Sequence, residues 1–242
     1  MKAIILAAGR GTRIPSITKK KPKCLIKVNK IPILLRQINF LRKLNIKDII
    51  IVKGFKKNQI NYKNIKYVIN KNYKKNEQLE SLFCAKKEMK CDLIITFADT
   101  IYDFSLLKKI VEFKKGEIIL GIDKKWKKRY KFRYDHPFTQ ADKVKINKQG
   151  NLLKIGKGLS LKETNAEFLG ILKLTKKGCS IFSKSFKKLK KKEHTNRMQI
   201  HNFIQILIQE KEKIFSCDLQ GKFMEIDTFN DYKIASKMFT TK

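Results

Sequence analysis

The sequence predicts an α/β fold in which a doubly wound, mostly parallel sheet is covered by helices on both faces. Two observations carry that expectation. Short apolar runs rich in β-branched residues recur at Met1–Leu6, Asp48–Val52, Ile65–Ile69, Leu93–Phe97, Ile118–Ile122 and Glu167–Leu174, without polar alternation through most of them, as strands buried on both faces require. Between many of them lie segments with apolar residues at three-and-four spacing, so strands and helices alternate.

The first strand stops abruptly at Ala7, Ala8 and Gly9, residues small enough to let a ligand approach the main chain. Gly9 and Gly11 bracket Arg10, so the loop can turn tightly and aim several N–H groups one way, while Arg13 and Lys23 add positive charge beside them. Such a loop suits a polyphosphate. It lacks the full dinucleotide fingerprint, because Ile14 stands where a third glycine belongs and the second strand runs into Lys53 and Gly54 with no carboxylate for a ribose. No G-K-S or G-K-T follows, which excludes a Walker loop.

Ile31–Leu44 places Ile31, Leu34, Leu35, Ile38, Leu41 and Leu44 on one helical face. Strands at Asp48–Val52 and Ile65–Ile69 follow, then a helix over Leu79–Met89 and the strand Leu93–Phe97. Asp99 lies just past that strand's end, where open α/β sheets place ligand chemistry; a cap on the next helix is the plainer role for such an aspartate. After the strand Ile118–Ile122, the stretch from Trp126 to His136 concentrates Trp126, Arg129, Tyr130, Phe132, Arg133, Tyr134 and His136, a mixture that can grip an anion beside an amine or simply pack on the sheet. Lys143–Ile155 alternates about Gln149, Gly150 and Asn151 and reads as a β-hairpin. Helices are expected at Lys176–Lys188, Thr195–Gln209 and Asn230–Met238, the last directly after Asp227. Glu167 and Lys173 interrupt an apolar strand, so each must be paired, exposed or functional.

A net charge of +36 raises nucleic acid as a partner. However, lysine far outnumbers arginine and the excess is spread over the whole length, whereas base readers concentrate charge and use arginine; no specific nucleic acid is expected. The densest run, Lys187–Lys192, reads as a solvated helix end. No segment approaches the roughly 18 to 20 apolar residues of a membrane span, and a cytoplasmic protein without a membrane partner is expected. Five scattered cysteines without a C-x-x-C pair suggest neither a disulfide framework nor a zinc site.

The stretch L-A-A-G-x-G-T-R, then a threonine and P-K-C-L, resembles the signature of the nucleotidyltransferases that make activated sugars and activated phosphocholine. Where that family has Pro-Leu before the threonine, this chain has Ser16 and Ile17, with its proline at Pro15. The resemblance implies a Rossmann-like nucleotidyltransferase fold: one domain over 1–242, a small β-hairpin elaboration and a substrate-side insertion around 123–160. It implies that Leu6, Ala7, Ala8, Gly9, Gly11, Thr12 and Ser81 bind the nucleotide and that Lys23 and Arg13 offset phosphate charge.

K-N-E-Q-L-E-S-L-F, from Lys75 to Phe83, resembles a segment of phosphocholine cytidylyltransferases near base and substrate, which puts Glu77 at the substrate. D-x-x-W-x-x-R-Y-x-x-R-x-x-H-P resembles enzymes of phosphonates and phosphorylated amines, which gives Trp126, Arg129, Arg133 and His136 acceptor roles. By the same resemblance, E-F-x-G places Glu167 beside the substrate and Lys173 near the phosphates. M-E-I-D-T-F-N-D-Y resembles a second metal motif, so that Asp99 and Asp227 share Mg²⁺. The implied reaction moves CMP from CTP onto a small phosphorylated or phosphonate acceptor. A sugar 1-phosphate enzyme using UTP or dTTP and a basic nucleic-acid-binding protein are the rivals; monomer and dimer both remain open.

Overall fold

A computed structural model describes residues 1–192 and 194–240. Strand β1 (Lys2–Ala7) runs through the glycine loop into a one-turn helix, α1 (Pro15–Thr18), and a small hairpin, β2 (Lys27–Val28) and β3 (Ile31–Pro32), introduces helix α2 (Ile33–Lys43). Next come β4 (Ile49–Lys53), β5 (Lys66–Ile69), α3 (Gln78–Cys84), β6 (Leu93–Phe97), β7 (Thr100–Tyr102), α4 (Phe104–Glu112) and β8 (Ile118–Asp123). The chain continues through hairpin β9 (Lys143–Ile146) and β10 (Leu152–Gly156), then β11 (Ala166–Leu174), α5 (Lys176–Lys190), α6 (Ile200–Gln209), β12 (Ile214–Asp218), β13 (Phe223–Glu225) and α7 (Phe229–Met238).

The central sheet has the order β10-β9-β11-β6-β1-β4-β5, with β8 on β11 and β12 on β8. The sheet is mixed but mostly parallel: β10 and β11 run against the other strands. Ile4 pairs with Ile50 on one side and Ile95 on the other, and consecutive side chains serve opposite faces. Ile4 joins a core with Leu79 and Leu82 of α3, Phe182 of α5 and Phe203 of α6. Ile5 joins another with Leu34, Ile38 and Leu41 of α2 and Leu106 and Ile110 of α4. Each such side chain is worth roughly 1.5–3 kcal/mol when buried, so β1 needs apolar residues in both phases.

A third core seats α7 beneath the loop. Ile14 and Ile26 pack there with Met224, Ile226 and Ala235, which brings the C-terminal motif against the N-terminal one. Gly170 bends β11: its φ is +67°, and a Cβ there would come within 2.7 Å of the Phe97 ring. The register of β11 on β8 shifts across that bend, between Phe168 and Leu172. No helix among the described residues is long and apolar enough to cross a membrane.

Several boundaries differ from the sequence expectation. The helix expected from Thr195 starts at Ile200, because the backbone carbonyls of Asn196 and Met198 accept N–H groups of Glu77 and Leu79 instead of starting a helix. The helix expected over Leu79–Met89 ends at Cys84 and is followed by a 3-10 turn at Lys86–Glu88. Strands β12 and β13 were not anticipated. The aromatic stretch is a 3-10 segment, Trp126–Phe132.

Candidate active site

The ends of β1 and β6 open onto a cleft of about 530 Å³. Leu6, Ala7, Ala8, Gly9, Gly11, Thr12 and Arg13 line one side. Among the described residues, the N–H groups of residues 9–13 donate to no backbone acceptor, so they remain available to an anion. Gly11 has φ +64° and a Cβ there would lie 2.8 Å from Lys23 Cβ, whereas one at Gly9 would meet nothing within 4 Å. The two glycines therefore differ: Gly11 is required by backbone and packing, and Gly9 faces open space. Thr18 ties the loop shut, its hydroxyl donating to the carbonyls of Gly11 at 2.6 Å and Ile14 at 2.7 Å; Pro15 opens the one-turn helix that carries it.

Lys23 is the centre of the charge arrangement. Its Nζ donates to Asp99 Oδ2 at 2.8 Å and to Asp227 Oδ1 at 2.5 Å, and Arg13 reaches the same Asp227 oxygen at 2.7 Å. Burial of Lys23 opposes its charge, but Asp99, Asp227 and Glu225 outweigh burial and hold its pKa above the ordinary lysine value. Burial would raise Asp227 too, yet Lys23 and Arg13 keep it below the usual carboxylate range. Glu225, pushed up by burial and by Asp227 and Asp99, stands well above that range. Two carboxylates distant in sequence thus converge on one cationic atom, which is the arrangement that would hold a divalent ion. His136, Glu225 and Asp227 also present ligand atoms within 4.8 Å of one another. The oxygen-rich donor set fits a hard cation such as Mg²⁺ better than a soft one. Cys24, buried beside Lys23, has its thiol pushed up to about 12 by burial and is no nucleophile.

Behind Asp227 lies a fully satisfied support. Asp231 accepts the N–H groups of Asp227 at 3.0 Å and Thr228 at 2.9 Å, and takes Nε of Arg133 at 2.7 Å. Arg133 also reaches the Glu225 carbonyl and lies 2.9 Å from His136 Nδ1. Arg133 lines the cleft, but its guanidinium is committed to these partners. His136 is buried 3.8 Å from Asp227 and 3.5 Å from Asp231, which puts it behind the carboxylates and not in the cleft wall. Asp227 is not a helix cap; Thr228 fills that position on α7. Asp99 is no cap either, since Asp103 precedes α4.

Glu77, Ser81 and Glu167 line the cleft. Ser81 accepts from Asn70 at 2.9 Å. Glu167 is held by Arg129 and the Tyr130 hydroxyl; burial still raises its pKa against those partners.

Besides His136, three further expected positions are corrected. Trp126 is 1% exposed and packs edge-to-face on Tyr130 and Phe138, so it supports the wall and offers no face to an amine. Arg129 is spent on Asp123 and Glu167 and is not in the cleft wall. Lys173 lies away from the cleft, where its ammonium donates to the carbonyls of Val111 at 2.6 Å and Phe113 at 2.7 Å, at the end of α4. Sequence reasoning missed Glu225, Asp142, Lys157, Gln140 and Gln199, all in the wall. For Glu225 a signal existed: it lies two positions before Asp227, so both point to one side of an extended segment.

The chain is similar to known nucleotidyltransferases. Residues 3–125 match the MobA-like NTP transferase domain. The chain is 30% identical to a CTP:phosphoglutamine cytidylyltransferase of Campylobacter jejuni over 97% of its own length and 98% of that protein. A choline-phosphate cytidylyltransferase of Streptococcus pneumoniae is 42% identical over 39% of this chain and 43% of its own. Among solved structures, the inositol-1-phosphate CTP transferase from T. maritima superposes with a TM-score of 0.78 at 21% identity, covering 98% of this chain and 95% of that one.

Proposed function

The chain belongs to the MobA-like NTP transferase family, and from that premise we propose that it transfers CMP from CTP to a small phosphorylated or phosphonate amine or amino-acid-type acceptor, releasing pyrophosphate. It is a nucleotidyltransferase. The observation that carries the finer reading is the convergence of Lys23 and Arg13 on Asp99 and Asp227 beside a loop with free N–H groups, in a chain similar along its whole length to a CTP enzyme.

In this reading residues 1–242 act as one unit, with 123–160 on the acceptor side. The N–H groups of residues 9–13 hold the β and γ phosphates, and Ala8, Gly9 and Ser81 flank a shallow place for the base. Asp99 and Asp227 would hold Mg²⁺, which would supply neutralisation of triphosphate charge. An acceptor phosphate or phosphonate oxygen forms a bond to the α-phosphorus as the bond to the bridging oxygen breaks, and pyrophosphate departs with that electron pair. Lys23, released from its carboxylates, offsets the charge that grows as this happens. Arg13, about half exposed, tracks the leaving phosphates. Asp231 and Arg133 hold Asp227 in place. No side chain is needed as a nucleophile, so catalysis is positioning plus charge stabilisation.

The test is a pyrophosphate-release screen of CTP, UTP, dTTP and ATP against phosphocholine, aminoethylphosphonate, phosphoglutamine and sugar 1-phosphates. Turnover with CTP and an aminated acceptor is expected. Efficient turnover of glucose 1-phosphate with UTP or dTTP would assign the chain to the sugar enzymes instead.

A further inference from the structure

Asp142 and Lys157 both face the cleft and take no part in the chemistry above. They sit at the open end of one hairpin: Lys143 of β9 pairs with Gly156 of β10, so Asp142 and Lys157 are the next positions outward on the two strands. Neighbours in such a ladder have Cβ atoms roughly 4.5–5.5 Å apart. An aspartate and a lysine so placed would ordinarily neutralise one another.

They do not. Among the described residues Asp142 forms no ion pair with any lysine or arginine, and Lys157 forms none with any carboxylate. In a chain with 57 basic and 21 acidic residues, a cleft carboxylate without a lysine or arginine partner is unusual. Behind Asp142 lies the buried His201, whose Nδ1 is 3.0 Å from Asp142 Oδ1 as an ion pair when the ring is protonated; neither atom has a hydrogen-bond partner among the described residues. Glu167, by contrast, already has Arg129 and Tyr130. One wall of the cleft therefore offers a carboxylate that faces only His201 from behind and an ammonium that has no carboxylate partner among the described residues.

We propose that this pair reads a zwitterion, Asp142 taking the acceptor's ammonium and Lys157 its carboxylate, so that the acceptor is a phosphorylated amino acid and not a simple phosphorylated amine. His201 is a positioning residue for Asp142. The assignment rests on the cytidylyltransferase reading above and adds the acceptor's second charged group to it.

The experiment measures steady-state kinetics with CTP and three acceptors: O-phospho-L-serine, O-phosphoethanolamine and ethyl phosphate. Wild type should prefer them in that order by kcat/KM. Asp142→Asn should raise KM for both amines by about ten-fold or more, on the scale of losing a charged hydrogen bond, and leave ethyl phosphate unchanged. Lys157→Met should raise KM for phosphoserine alone. His201→Gln should raise the amine KM values while kcat and the CTP KM hold, a split that loss of folding would not produce.

Equal losses on all three acceptors, or no loss on any, overturn the assignment. So does a wild-type preference for phosphoethanolamine over phosphoserine. If wild type turns over none of the three but does use a sugar 1-phosphate, the cytidylyltransferase reading has failed and the assignment falls with it.

Discussion

Lys23 holds Asp99 and Asp227 together through one Nζ atom, so a divalent cation held by these carboxylates, as proposed, would compete with the ammonium for the same oxygens. Removing the ammonium should therefore help the metal. Lys23→Met is expected to bind Mn²⁺ about ten-fold or more tightly without nucleotide, because the buried Asp227 and the partly exposed Asp99 lose the one lysine that pairs with them among the described residues; titration calorimetry checks this, and an unchanged affinity would mean that the ion binds elsewhere. The same variant should lose kcat more than CTP affinity, since the charge that Lys23 offsets grows in the transition state. Asp99→Asn and Asp227→Asn should each lower turnover by about two or more orders of magnitude while the protein stays folded, which steady-state rates and thermal melts together would show. At this scale the tight turn of the loop was legible, because small residues and glycines placed between flanking cations mark a sharp bend after the strand, and the structure has Gly11 at φ +64° there. The aromatic–arginine stretch was not. Sequence says that Trp126 and Arg129 are near the site, but not that Trp126 turns inward onto Phe138 or that Arg129 is used up by Asp123 and Glu167.

Elements show why two of the corrected residues, Lys173 and Trp126, still matter. Lys173 ends α4 by donating to two of its terminal carbonyls, groups that a helix otherwise leaves without partners. Lys173→Met should lower the melting temperature and leave the CTP KM unchanged; a rise in that KM at unchanged stability would return Lys173 to the phosphates. Trp126→Ala empties a fully buried position beneath the acceptor wall, a change that typically costs about 3 to 5 kcal/mol. The expected result is lower stability with both substrates affected, in contrast to the acceptor-only loss that a cation–π contact would give. Strands with a continuous apolar phase, β1 and β6, were readable nearly to the residue. The start of α6 was not, since Asn196 and Met198 are drawn into bonds with Glu77 and Leu79, a tertiary demand that no local periodicity reports. Strand β12, with its middle residues only half-buried, carried too weak a pattern to see.

For the whole molecule, the charge and the cleft have to be considered together. The net charge of +36 comes from lysines spread over the entire chain, and the surface that results attracts triphosphate and phosphorylated acceptor alike before either reaches the loop. The cleft itself is different, because among the described residues its lining is balanced: Glu77, Asp99, Asp142, Glu167, Glu225 and Asp227 stand beside Arg10, Arg13, Lys23, Lys74, Arg133 and Lys157, in contrast to the strongly basic chain as a whole. Long-range attraction therefore belongs to the surface and discrimination to the cleft. Added salt screens exposed charges beyond about 8 Å at physiological ionic strength and acts far less on buried pairs. The expectation is that kcat/KM for both anionic substrates falls as salt rises while kcat stays nearly level, measured from low to physiological ionic strength with a neutral osmolyte as control. A parallel fall in kcat would mean that salt reaches the Lys23 and Asp227 contacts themselves, and that the surface charge is not what delivers the substrates.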